Sequence, residues 1–184
     1  MKKVLLFIVA IVVIIGGMLF STYNSLAVMD ESVNSHWAQI DNQLQRRNDL
    51  IPNLVNTVKG YASHEQAAIK AVTEARAKMA GAKTIPEKNA ANSELTSALS
   101  RLMVVVENYP NLKADANFRA LQDELTGTEN RIAVARRDYN QQVQMFNSKI
   151  RTLPTSLFAG MLGYHSHEYF KVEESAKAVP KVQF

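Results

Sequence analysis

The sequence predicts an all-α protein. We expect an N-terminal transmembrane helix followed by an up-down-up-down antiparallel four-helix bundle with long first and fourth helices. Three observations carry this expectation. An unbroken apolar run of 17 residues, Val4 to Phe20, lies at the start of the chain. Glycine and proline are scarce, 7 and 5 in 184 residues, while Ala, Leu, Val, Asn, Gln, Lys and Glu are plentiful, which favours helix over sheet. Beyond the run, apolar residues recur at steps of three and four, the period of a helix face.

Composition narrows the function classes. The length suits an anchor and a single domain. The net charge of +4 is small, and two of those charges are Lys2 and Lys3, so no clustered basic face points to nucleic acid. The absence of cysteine excludes disulfides, thiolate metal sites and thiol catalysis, and leaves the compartment open.

The apolar run spans roughly 25 Å as a helix, and continuing it to Tyr23 approaches the ~30 Å hydrocarbon core of a bilayer. Residues 4–23 are therefore expected to contact lipid. A cleaved signal peptide is the alternative, since Ser25-Leu26-Ala27 is a small-x-small site, but the run exceeds an ordinary signal core of about 7–15 residues. Lys2 and Lys3 precede the run, and no Lys or Arg follows until Arg46. The positive-inside rule then places the N-terminus in the cytoplasm and the bundle outside.

The first bundle helix carries Leu26, Val33, Trp37, Ile40, Leu44, Ile51, Leu54, Val55 and Val58. It continues from the anchor with local bending at Asn24 and Pro52, a proline that removes a backbone donor inside the pattern. Gly60 to Ser63 read as a turn, with Ser63 capping a second helix that holds Ile69, Val72, Ala75, Arg76 and Met79. Gly81 to Pro86 read as a loop; Thr84 or Ile85 precedes the third helix and Pro86 suits its first turn. That helix buries Leu95, Ala98, Leu99, Leu102 and Met103, and stops near Asn108 because Tyr109 precedes Pro110. The fourth has a coiled-coil-like seam of Phe118, Leu121, Leu125, Thr128, Ile132, Ala135, Tyr139, Val143, Phe146 and Ile150.

The segment from Leu44-Gln-Arg-Arg-Asn-Asp-Leu-Ile-Pro-Asn-Leu54 through Val58, Tyr61, His64 and Glu65 resembles the LQxRRADLIPNLVxTVKGYAxHE signature of the LemA family of bacterial membrane-anchored helical proteins. Glu107-Asn-Tyr-Pro-Asn-Leu-Lys113 looks like the family's ExYPxLK turn. Phe118 with Leu121 to Ile132 resembles FxxLQxELxxTENRI, and Ala135-Arg136 with Asp138-Tyr-Asn140 resembles ARxxYN. Asn147 to Pro154 and Glu168-Tyr-Phe170 are similar to its closing segments, so the resemblance covers about Tyr23 to Phe170. It implies a membrane-anchored antiparallel helical bundle in the bacterial inner (cytoplasmic) membrane. It also implies work beside envelope proteins such as an HtpX-type protease, and no known catalytic residues.

Candidate sites follow from residue chemistry. Arg46, Arg47 and Asp49 of the first helix, with Glu129 and Arg131 of the fourth, form either a partner-recognition patch or an inter-helix network that fixes register. Glu129, three residues before core Ile132, is the expected partner of a first-helix arginine. His165, His167 and Glu168 form the single cluster with metal-ligand chemistry, but a site needs three convergent ligands. An exposed polar turn is the plainer reading. Without a catalytic triad pattern, a phosphate-cradling glycine loop or HExxH, neither an enzyme nor a cofactor is expected. Leu157, Phe158, Met161 and Leu162 either close the bundle end, enter the membrane interface, or pack on a neighbouring subunit or partner.

The expected organisation is an anchor at 1–23, a four-helix bundle at 24–152, an apolar membrane-proximal or interface segment at 153–170 and a loose tail at 171–184. The expected function is a membrane-anchored scaffold or adaptor that self-associates as a homo-oligomer. A structural coiled-coil assembly without a client, and a metal-dependent hydrolase using His165, His167 and Glu168, are the alternatives.

Overall fold

The computed structural model describes residues 2–170; the stretch expected to be a loose tail lies outside them. Among the described residues every regular element is helical: α1 Lys2–Tyr61, α2 Gln66–Gly81, α3 Ile85–Val106, α4 Pro110–Ala114 and α5 Ala116–Arg151, then a 3-10 turn Thr155–Leu157. The all-α class and the long apolar N-terminal helix hold.

Helix α1 runs unbroken through both Asn24 and Pro52. Pro52 has no N–H to offer the carbonyl four residues back, on Asn48. Arg76 of α2 supplies a replacement, its Nε donating to Asn48 O at 3.3 Å. The interior proline thus leaves a backbone acceptor that a neighbouring helix uses.

The ends of the other helices follow local chemistry, with one correction. Ser63 does not cap α2: the helix starts at Gln66, its N-cap is Glu65, and that residue makes no side-chain cap bond. Ser63 lies two residues short of the position from which a side chain reaches the free N–H groups. At α3, Thr84 Oγ1 accepts from Glu87 N at 3.3 Å and Glu87 Oε2 accepts from Thr84 N at 3.0 Å, a reciprocal capping box with Pro86 in the first turn. At α5, Asp115 Oδ1 accepts from Phe118 N at 2.9 Å.

The sequence periodicity misses α4. Tyr109 takes φ −124° and ψ 79°, as a residue before proline should, and Pro110 then opens a new helix of 5 residues. One turn is too short to show a period, yet it places fully buried Leu112 in a core.

Contacts divide the chain into two compact units, each taking part of α1 and part of α5. The unit of Gln39–Arg136 and Phe170 has a core of Leu, Ile, Val and Ala from α1, α2 and α3, joined by Leu112, Phe118 and Leu125. The unit of Met1–Ala38 and Arg137–Tyr169 buries Leu26, Val33, Tyr139, Val143 and Phe146. In it the large apolar side chains of the N-terminal run, Leu19 aside, are 40–71% exposed. α1 is, among the described residues, one helix long and apolar enough to cross a membrane.

Candidate functional site

Arg47 is the centre of the polar chemistry in the Gln39–Arg136 unit. It faces inward from α1 with its side chain 6% exposed. Its Nη1 donates to Asn92 Oδ1 at 2.6 Å and to Thr96 Oγ1 at 3.0 Å, both on α3. The same nitrogen lies 2.9 Å from Glu129 Oε2 of α5. That last contact is Coulombic without hydrogen-bond alignment, since Glu129 Oε2 and Arg47 Nε are buried atoms lacking a hydrogen-bond partner. Burial pulls the guanidinium below its ordinary pKa while Glu129 pulls it back up, and an arginine keeps its charge under such opposition. A buried charge satisfied on one side only is a poor source of stability. It discriminates strongly against any packing that separates it from Asn92, Thr96 and Glu129.

Arg46 and Arg131 meet through a shared acceptor: Glu124 Oε1 lies 2.7 Å from Arg46 Nη2 and 2.9 Å from Arg131 Nη2. These groups are solvated and each pair contributes little. Asp49 is exposed and accepts from Gln45 at 2.9 Å. Arg47 thus faces Glu129, Arg46 and Arg131 converge on Glu124, and Asp49 stands apart from both groups. Sequence reasoning missed Asn92, Thr96 and Glu124. A signal was present for Asn92, which falls three residues before Leu95 on the apolar face of α3, where a polar side chain sets register. Beside the cluster lies a groove of about 420 Å³ lined by Arg47, Thr96, Ser100, Gln122, Thr126 and Glu129.

Other signature residues meet each other too. Tyr109 Oη donates to Glu65 Oε1 at 2.8 Å, joining the YP turn to the end of the first motif, and the bond holds the phenol pKa up. Lys113 bridges to Glu107 at 2.7 Å across that turn. Arg136 stacks over the Phe170 ring, 4.5 Å from its centroid.

In the other unit, the segment after α5 is stitched to the helices through its backbone. Asn147 Nδ2 donates to His167 O and Asn147 Oδ1 accepts from His167 N, both at 2.9 Å. Tyr139 Oη donates to Glu168 O at 2.8 Å, and burial with the nearby Glu168 charge pushes this phenol up to about 12. His167 Nε2 sits 2.6 Å from Asp30 Oδ1, and its ring packs edge-on against Phe146. His165 is exposed. Among the described residues no three His, Cys, Asp or Glu side chains are grouped to hold a metal.

The apolar candidates divide by exposure. Leu157 and Met161 are 62% and 84% exposed, whereas Phe158 and Leu162 are half-buried.

Known proteins with similar sequences place the chain. It is 26% identical over 179 residues to "Magnetosome protein MamQ 2" of Paramagnetospirillum magneticum, covering 83% of this chain and 66% of that protein. It is 24% identical over 178 residues to "Magnetosome protein MamQ" of Magnetospirillum gryphiswaldense, covering 83% and 65%. It is 28% identical over 133 residues to "Protein LemA" of Metamycoplasma hominis, covering 71% and 60%. The chain spans 60–66% of the length of these relatives, less than two thirds of each. With residues 36–184 matching the model of the LemA family, the chain belongs to that family.

Proposed function

We propose that this chain is a membrane-anchored scaffold or adaptor without catalytic activity, in which α1 both crosses the bilayer and enters an antiparallel four-helix bundle made with α2, α3 and α5. The observation that carries the reading is the change of environment along one unbroken helix. Leu19 aside, large apolar side chains are 40–71% exposed in the run from Val4 to Phe20, and fully buried at Leu26, Ile40, Ile51 and Leu54. Exposing so much apolar surface to water is costly, so lipid is its natural solvent. A helix continuous from that run into buried Leu26 and Val33 of the same unit tethers a packed core to the membrane, which is what a scaffold requires. The polar signature residues support the same reading, since Arg47, Tyr109 and Tyr139 are engaged within the fold.

In this reading the chain sits in the bacterial inner membrane with the N-terminus in the cytoplasm, self-associates, and holds envelope membrane proteins, an HtpX-type protease being one candidate. Crosslinking the full chain in membranes, followed by identification of co-purified proteins, tests it. Recovery of a defined membrane client supports an adaptor, while crosslinks solely between copies of this chain would replace that reading with a self-assembling coiled coil. A reporter fused after Phe184 should be active outside the cytoplasm.

A further inference from the structure

The segment following α5 reaches the end of the apolar run. Pro154 and Thr155 line a cleft with Ile14, Gly17, Met18, Ser21, Thr22 and Ser25 of α1, and Lys149 of α5 completes it. Thr22 and Thr155 are buried there, 8% and 2% exposed. The chain beyond α5 therefore lies against α1 where the apolar run gives way to polar residues. From this position Leu153, Leu157 and Met161 point outward, 74%, 62% and 84% exposed. Large apolar side chains on one short segment, left uncovered by the rest of their unit, need an apolar neighbour.

Charge narrows what that neighbour is. Residues 144–164 contain Lys149 and Arg151 and no carboxylate, and α1 carries no acidic residue before Asp30. Lys149 and Arg151 occupy the last turn of α5, immediately before the apolar segment, without a carboxylate partner among the described residues. Cations beside outward-facing Leu and Met match a bilayer surface, where phosphate oxygens lie just above the acyl chains.

We propose that residues 153–162 form a second membrane contact, with Leu153, Leu157 and Met161 inserted into the interfacial zone of the leaflet from which α1 emerges, and Lys149 and Arg151 on lipid phosphates. The occupant of this face is lipid, and the proposal rests on the reading of α1 as a membrane span. Its effect is orientational: one spanning helix can swivel about its axis, whereas a second contact beside it fixes which face is turned to the membrane.

The test uses the full chain in vesicles of phosphatidylethanolamine and phosphatidylglycerol. Its single tryptophan, Trp37, is changed to Phe, and one new tryptophan is placed by Leu157→Trp, Met161→Trp or Phe7→Trp. Quenching by lipids brominated at shallow or deep acyl positions is compared with quenching by aqueous iodide. The proposal predicts blue-shifted emission and strong shallow-bromine quenching at 157 and 161, with bromolipid quenching at 7 as well, about 4.5 Å inside the start of the span. Iodide quenching at 157 and 161 with lipid quenching at 7 would overturn the second contact and leave the span standing. Shielding of 157 and 161 from both quenchers would mean that protein, such as a second copy, covers the segment, and overturns it likewise. No lipid quenching at 7 would remove the span and the proposal with it. Lys149→Gln with Arg151→Gln should reduce quenching at 157 more in anionic vesicles than in phosphatidylcholine; equal loss in both would remove the cations from the contact.

Discussion

The two units solve the same packing problem with different materials. The Gln39–Arg136 unit draws on α1, α2, α3, α4 and the first part of α5, and fills its centre with aliphatic side chains of moderate size. With that many walls it can also afford a buried ion at Arg47. The Met1–Ala38 and Arg137–Tyr169 unit has two helix segments and an irregular strap. Two helices cannot enclose a side chain on all sides, so large rings do much of the filling: Tyr139 and Phe146 are fully buried, with half-buried Trp37 against Tyr139 and half-buried Tyr164 and His167 against Phe146. The strap is then held by hydrogen bonds to its backbone. A multi-walled core tolerates polar specificity inside; a two-helix core is closed by aromatic area and backbone stitching.

The largest effect should come from breaking the ion in the multi-walled core. Arg47→Ala leaves Asn92 and Thr96 without their donor and Glu129 without the Arg47 counter-charge. It should cost about 2–4 kcal/mol by chemical denaturation, somewhat less than the ~3–5 kcal/mol of a fully enclosed pair because the Glu129 side chain is 43% exposed. Arg47→Met combined with Asn92→Leu and Glu129→Leu should recover most of that loss. If stability returns and membrane partners still co-purify, the cluster is a register lock; if stability returns and partners are lost, it is a recognition site.

Next in size is the stitching of the strap. Asn147→Leu removes the acceptor and donor that serve His167 N and O, at about 2 kcal/mol. Hydrogen exchange should speed up at 164–169, while amides of α2 and α3 keep their protection. Equal acceleration in α2 and α3 would show that the two units open together.

A smaller effect separates the roles of Pro52 and Arg76. Arg76→Met keeps the stem and removes the donor to Asn48 O, costing about 1 kcal/mol at this long distance. In a Pro52→Ala background the restored N–H at position 52 takes over the carbonyl, so the same change should cost less. Identical costs in both backgrounds would mean that Arg76 contributes by packing alone.

The smallest effect is acid loosening of the caps, both in the Gln39–Arg136 unit. The N–H groups of Lys83 and Thr84 hold Glu87 below the ordinary carboxyl range, and the N–H of Phe118 does the same for Asp115. A folded pKa below the unfolded one means stabilisation present above the unfolded values, near ~4.3 for Glu and ~3.9 for Asp, and lost as pH falls through the lower folded values. Helicity followed by circular dichroism should fall across that acid window, and less so in Glu87→Gln with Asp115→Asn.

The legible parts of this molecule are those governed by local rules. Steps of three and four marked Leu26, Val33, Ile40, Leu44 and Ile51 on α1, and Ile132, Tyr139, Val143 and Phe146 on α5, all of which are buried. Thr84 ahead of Pro86 marked the start of the third helix, whose capping box with Glu87 the structure added, and Tyr109 before Pro110 spelled a helix stop. Ser63 failed as a cap because helix boundaries slide by a residue or two when the deciding contact is distant: the Glu65 carboxylate is engaged by Tyr109, 44 positions away. The candidate site divides along the same line. The types Arg47 and Glu129 suggested an ion pair, but Asn92 and Thr96 lie 45 and 49 positions from Arg47, and no local period connects them.

By itself, the sequence determined the helical class, the apolar run and its length, most helix ends, and membership in the LemA family, because each depends on neighbours within a few residues or on motifs in order. Only the tertiary structure decided that Arg76 serves the carbonyl left by Pro52, that Glu124 joins Arg46 to Arg131, and that Pro154 and Thr155 lie beside Met18 and Thr22. Those pairings are chosen by how rigid helices place side chains across gaps of 28 to over 130 residues. Such distances enter the energy through packing and desolvation of the whole assembly, which no short window of sequence contains.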